Sequence, residues 1–269
     1  LRHLCGRLEH RLKLRHALRA HILGIFSATV TPGGSGATPA MALMLQYQGL
    51  TSGQAWATSI ALFVADAIFH VWSLPLAIIF LRWQGLYPKG IVWTIAGILA
   101  IVVTALLAYV LLFRLRWLEP LFRWLFRGAL LRFRKRALRF VASLLESNHY
   151  FTGASWGFYG LTQLYTFLSW FCFFLVLTLL AKGLELHLSA IASAAWQIAT
   201  TTVSYFVPTP GGSGFFELGT SLLLLGRGND NAVPAVLLAW RLLTYYSFFL
   251  LGPLLGGYVL VKRLSQTKS

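Results

Sequence analysis

The hexapeptide Thr-Pro-Gly-Gly-Ser-Gly occurs twice, at Thr31–Gly36 and Thr209–Gly214, and each copy interrupts an apolar stretch that would otherwise continue as helix. Proline removes a backbone donor and glycine admits positive φ, so both copies break the helix they enter. At membrane depth such a break is tolerated only where protein buries the freed backbone or where it lines a wet cavity. A matched pair of breaks in two halves of one chain therefore points to a transport site between them.

The surrounding sequence places the breaks at membrane depth. Ile91–Phe113 and Trp156–Ala181 contain no charged residue, and each exceeds the roughly 20 residues that a spanning helix needs. Only 11% of the residues are charged, against about 25% in a soluble domain, and the mean hydropathy is +0.69. The expected class is an all-α polytopic membrane protein, multi-pass in the cell (cytoplasmic) membrane. Lys and Arg outnumber Asp and Glu by 23 to 7. The basic residues flank the apolar runs, so positive-inside topology and anionic lipid headgroups account for them, and no nucleic-acid partner is expected. Cys5 and Cys172 form neither a disulfide framework nor a metal pattern, and no cofactor or metal is expected. The chain opens on Leu1 in a basic amphipathic stretch, which leaves room for one or two preceding spans.

Residues 1 to 21 read as a helix on the cytoplasmic surface, with Arg2, Arg7, Arg11, Lys13, Arg15 and Arg19 among leucines. Ala20–Val30 is too short to span, and a second short piece, Ala37–Tyr47, follows the first hexapeptide. Full spans are expected over about Ala55–Phe80 and Ile91–Phe113. Between Arg114 and His149, Arg116, Arg123, Arg127 and Arg134 share one helical face while Leu118, Phe122, Leu125, Ala129 and Phe133 share another. This predicts a basic amphipathic helix lying on the membrane. Trp156–Ala181 spans, Leu188–Val207 runs to the second hexapeptide, Phe215–Leu225 is short, and Val233–Val261 is the last span.

Charge counting separates two topologies. With both hexapeptide elements re-entrant, 18 Lys and Arg lie on one side and 4 on the other; with both passing through, the sides hold 12 and 10. Only the first obeys the positive-inside rule. Three complete spans then separate the hairpins, so they enter from opposite faces and the repeat is inverted. The chain reads as one transmembrane domain over 1–269: repeat one at about 1–113, a linker at 114–152 and repeat two at about 153–269.

Chemistry concentrates at the breaks. Gly33, Gly34 and Gly36, with Gly211, Gly212 and Gly214, uncover amides at the start of a short helix, which suits a phosphate or carboxylate. Thr31, Ser35, Thr209 and Ser213 add hydroxyls; the alternative is that the glycines only permit turning and close packing. Glu217 falls in the first turn after the second loop, where it can cap back to the loop. Arg241, inside the last span, needs a partner, and Glu217 is the candidate. A structural ion pair and direct substrate contact both remain open for it. Asp66 is the other intramembrane charge; shifted by the repeat offset (Thr31 to Thr209) it maps to Thr244, one turn from Arg241, so the two charges are expected to face a common cavity. His70 reads as an ordinary polar helix residue. Gly153-Ala-Ser155-Trp-Gly157 matches a nucleophile elbow without the required strand, and the hexapeptides lack the Gly-Lys-Ser/Thr of a P-loop. No enzymatic constellation is expected.

Pro208-Thr-Pro-Gly-Gly-Ser-Gly-Phe-Phe-Glu217, followed by Ala-Trp-Arg241 and Leu251-Gly252, resembles the signature of the lysylphosphatidylglycerol synthase transmembrane, or flippase-like, family. The resemblance implies a lipid flippase or transporter that moves an anionic lipid between leaflets: a phospholipid, an aminoacylated phospholipid or a polyprenyl-phosphate-linked lipid. It makes anionic membrane lipids the expected partners, with a lipid-modifying enzyme and a homodimer also in view. Members often carry Pro-Gly-Arg-x-Gly-Glu at the first break and an acidic-Arg pair in the next span. Here Ala37 follows Gly36 and Ala67 follows Asp66, so those Arg and Glu contacts are absent. Two other readings remain: a small-solute or ion transporter with an enclosed path, and a membrane scaffold for a lipid-modifying enzyme.

Overall fold

The computed structural model describes residues 1–8, 10–86 and 145–254, with a few single positions between 99 and 143. The expected span Ile91–Phe113, most of the basic amphipathic helix, and the stretch beyond Leu254 lie outside the described residues. Every regular element described is helical. The order is α1 (Arg2–Gly6), α2 (Leu14–Val30), α3 (Ala37–Tyr47), α4 (Ser52–Trp83), helical residues 145–152, α5 (Trp156–Gly183), α6 (Ala190–Ser204), α7 (Phe215–Leu224) and α8 (Val233–Arg241). A π-helical turn, Leu242–Tyr246, follows α8, and helix continues to Leu254. Ser52–Trp83, Trp156–Gly183 and Asp230–Leu254 are long and apolar enough to cross a membrane.

The expected surface helix over residues 1–21 is divided differently. α1 stops at Gly6, and Arg15 and Arg19 belong to α2. No proline interrupts Leu14–Val30, so its basic first turns and its apolar remainder propagate as one helix. α3 and α7 each begin one residue past their hexapeptide.

Local signals set the other boundaries. Thr51 and Gln54 close a capping box at the start of α4, with Gln54 N donating to Thr51 Oγ1 at 3.3 Å and Thr51 N to Gln54 Oε1 at 3.1 Å. Thr51→Ala is expected to cost about 1 kcal/mol, read as a lower midpoint in thermal unfolding. Ser155 caps α5 through Phe158 N at 3.3 Å.

Two of the apolar clusters among the described residues are the larger ones. Cys5, Ala20, Met44, Leu45, Ala55 and Phe151 form one; Leu177, Ala181, Leu186, Leu224, Val236 and Trp240 form the other. Helices far apart in the chain also pack together. Ala77 and Leu81 of α4 pack on Ala195 of α6, and the Gly252 backbone beyond α8 lies against the Phe26 ring of α2. Polar side chains tie the helices: Gln163 Nε2 of α5 donates to Ala65 O at 3.0 Å, and Gln197 Nε2 of α6 to Phe174 O at 3.0 Å. Such bonds hold helices together where no hydrophobic force distinguishes protein from lipid.

The two cysteines are a control on this packing. Burial pushes the Cys5 thiol up to about 11, so at pH 8 on the order of one thiol in a thousand is thiolate. Cys172 is exposed on α5. Maleimide is expected to leave Cys5 unlabelled at pH 8 in the folded protein and to label it after unfolding in SDS; equal labelling in both would show that α1 does not pack as described.

Candidate functional site

The two hexapeptides meet. Pro32 and Pro210 form an isolated antiparallel bridge, and the two loops repeat one local design. Gly34 N donates to Thr31 O and Gly212 N to Thr209 O, both at 3.2 Å; Ser35 N donates to Pro32 O at 3.2 Å and Ser213 N to Pro210 O at 3.1 Å. Gly33 and Gly34 have φ of 57° and 69°, and Gly211 and Gly212 have 56° and 66°. A side chain at Gly33 is excluded twice, by its φ and because a Cβ would stand 2.8 Å from the Tyr205 carbonyl oxygen. The partner loop does the same in return: a Cβ on Gly211 would lie 3.2 Å from Thr29 O and would meet the Tyr245 ring.

Tyr245 ties the loops together. Its hydroxyl donates to Thr29 O at 3.3 Å and accepts from Ser213 Oγ at 3.3 Å. Tyr245 lies inside the π-helical turn that follows Arg241, a rare geometry that recurs at functional sites. With the helix so widened, the Arg241 guanidinium carbon sits 5.0 Å from the Tyr245 ring centre, and 5.2 Å from those of Phe216 and Trp240. Three rings thus shelter a cation that is 6% exposed.

Glu217 joins this cation to the second loop. Its Oε2 accepts from Gly214 N at 2.7 Å, and its Oε1 stands 2.7 Å from Arg241 Nε. The ion contact is close but the N–H is not aimed along it, so Arg241 Nε and Nη2 have no aligned acceptor among the described residues. The carboxylate also sits at the positive end of α7.

Asp66 has other partners. Its Oδ1 accepts from Trp170 Nε1 at 3.2 Å, and its carbonyl accepts from His70 Nδ1 at 2.8 Å. His70 is buried, with its ring edge-on to Trp170 and Tyr205 at 5.0 and 5.6 Å. Because Tyr205 also covers Gly33, this cluster adjoins the first loop. Arg241 and Asp66 have separate partners: Glu217 holds the guanidinium and the Trp170 indole holds Asp66. Thr244, the repeat counterpart of Asp66, turns its hydroxyl back to Trp240 O at 2.7 Å.

The structure thus brings Thr31, Gly33, Gly34, Ser35 and Gly36 against Thr209, Gly211, Gly212, Ser213 and Gly214, with Glu217 and Arg241 at the second loop only. Sequence reasoning missed Tyr245, Tyr205 and Trp170. Tyr245 had a signal, since it lies four residues beyond Arg241 and so on the same helical face. The other two had none, being distant in sequence from the residues they cover.

Cavities also lie elsewhere among the described residues. One of 890 Å³, with Lys182, Glu185, His187 and Asn229 on its walls, lies at the end of α7 away from the glycine loop. The second, of 360 Å³, is an apolar cleft between α4, α5 and α6, lined by Phe69, Trp72, Leu76, Phe167, Phe171 and Ile191.

The family of the lysylphosphatidylglycerol synthase TM region matches residues 1–252, a range that holds both loops, Glu217 and Arg241. The chain belongs to this family. The chain is similar to a UPF0104 membrane protein of Archaeoglobus fulgidus, 23% identical over 269 residues that cover 96% of this chain and 80% of that protein. No solved structure matches. Membership makes the chain an integral membrane protein, and the family fits a membrane lipid-related role.

Proposed function

We propose that this protein moves an anionic lipid between leaflets of the cell membrane, through two inverted repeats whose helix–loop–helix hairpins are re-entrant. The observation that carries the reading is the meeting of two broken helical hairpins, with a buried arginine beside one of them. Such broken elements mark substrate sites in transporters, and an intramembrane arginine beside a helix N-terminus suits a phosphate. The packing of α4 onto α6 and of the last span onto α2 is what a two-fold relation between repeats produces. The apolar cleft supports a lipid over a small solute. Trp72, Leu76, Phe167, Phe171 and Ile191 are all exposed along it, so it opens sideways to the acyl region, where lipid tails would travel while the headgroup crosses.

Purified protein in vesicles containing a fluorescent anionic phospholipid tests this by dithionite quenching of the outer leaflet. Leaflet exchange is expected to exceed that of protein-free vesicles, and Arg241→Ala is expected to slow it by about 10- to 100-fold, the worth of a charge-assisted contact of 1.5–3 kcal/mol. No movement of any anionic lipid, or Arg241→Ala matching the parent, would overturn the proposal.

A further inference from the structure

The hexapeptides are the same six residues in two conformations. They agree up to the serine and part at the last glycine, where Gly36 has φ −73° and Gly214 has φ 83°. The partner of that glycine's amide changes with it. Gly36 N donates to Thr31 Oγ1 at 2.8 Å, and the threonine hydroxyl donates onward to Ser27 O at 2.7 Å. Gly214 N donates instead to Glu217. The first loop has no such choice, since Pro39 occupies the place that corresponds to Glu217. In the second loop the threonine is displaced: Thr209 Oγ1 is buried without a hydrogen-bond partner among the described residues. A buried hydroxyl left unpaired is costly, and one that has a use in another state explains itself.

We infer that the second loop is a two-state element: Gly214 rotates to the conformation that Gly36 shows, Thr209 takes over its amide, and Glu217 leaves the loop. The Gly214 amide is not orphaned by the exchange, because one acceptor replaces another. The space beside Gly214 is open. Gly214 is exposed, and a Cβ built on it meets no atom within 4 Å. The end state tolerates only glycine, since a Cβ on Gly36 would lie 2.7 Å from Ser27 O and 2.9 Å from Thr31 Oγ1. Glycine at 214 is thus needed for its φ in one state and for its size in the other.

The exchange gives the Glu217 carboxylate a specific part. It occupies the place of an anion, on a loop amide, at the N-terminus of α7 and against Arg241. Its departure leaves the Gly214 amide with Thr209 and opens the N-terminus of α7 and Arg241 to an incoming anion, which shifts the loop by binding one state better than the other. The inference concerns the loop alone and holds whatever anion is carried.

The structure of Glu217→Ala in lipid nanodiscs decides it, together with amide deuterium exchange at Gly214 in Glu217→Ala and in Glu217→Ala/Thr209→Val. Gly214 is expected to turn to negative φ with Thr209 Oγ1 on its amide, and its exchange rate to stay within about threefold of the parent; the double variant is expected to exchange about tenfold faster, the worth of one hydrogen bond. Gly214 remaining at positive φ, or equal exchange in the single and double variants, overturns the inference. Should Glu217→Ala not accumulate, the same comparison is made with Arg241→Met added, which removes the buried charge. Loss of lipid movement with the loop exchange intact would count against the transport reading only.

Discussion

Glu217→Gln and Glu217→Ala are each expected to destabilise the protein by about 3 kcal/mol, the lower range for breaking a buried ion pair from one side. The reason is the partner left behind. Arg241 is 7% exposed by its side chain while Glu217 is 36% exposed, so removing the acid strands a buried cation, whereas removing the arginine leaves a carboxylate nearer the surface. Arg241→Met should therefore cost less than either change at Glu217. The double variant Glu217→Ala/Arg241→Met should recover most of the loss, because no charge is then left unpaired. Thermal unfolding in detergent or nanodiscs measures all four. Additive losses in the double variant would show that the two side chains do not act as a pair.

Gly33→Ala is expected to be the most damaging single methyl addition in the first loop, and Gly34→Ala serves as its control. Both positions have positive φ, 57° and 69°, which costs an alanine roughly 1–2 kcal/mol. Their surroundings differ. A Cβ on Gly34 meets only the Ala28 methyl at 3.7 Å, an ordinary contact, but a Cβ on Gly33 stands 2.8 Å from the carbonyl oxygen of Tyr205 in the other half. That oxygen belongs to backbone and cannot swing away, so Gly33→Ala must also push the loops apart, at a further cost of about 1–3 kcal/mol. Leaflet exchange and thermal midpoint should both fall more for Gly33→Ala than for Gly34→Ala. Equal effects would mean that backbone conformation, and not the approach of the two loops, makes glycine necessary.

Much of the local structure was legible because it rests on local chemistry. Proline and paired glycines end helices wherever they occur, so Ala37–Tyr47 and the start at Phe215 follow from the hexapeptides. Apolar runs of spanning length mark α4 and α5, and the spacing from Gly214 to Glu217 marks a first-turn cap. The pairing of Glu217 with Arg241 was also readable, since an intramembrane arginine requires a partner and Glu217 stands in the first turn after the second loop. The cover over the loops was not readable. Tyr205 reaches Gly33 only when the α6 end is brought against the first loop, and Trp170 reaches Asp66 only when α5 lies beside α4.

By itself, then, the sequence determined a helical membrane protein with two identical breaks and an acid–arginine pair beside the second, because length, hydropathy and turn chemistry act over a few residues. Only the tertiary structure decided that the breaks touch, that Tyr245 bridges them, that Asp66 and Arg241 take separate partners, and that one hexapeptide adopts two conformations. Those outcomes depend on contacts between residues far apart in the chain. In the last case six identical residues differ because a carboxylate three positions downstream competes with a threonine hydroxyl for one amide.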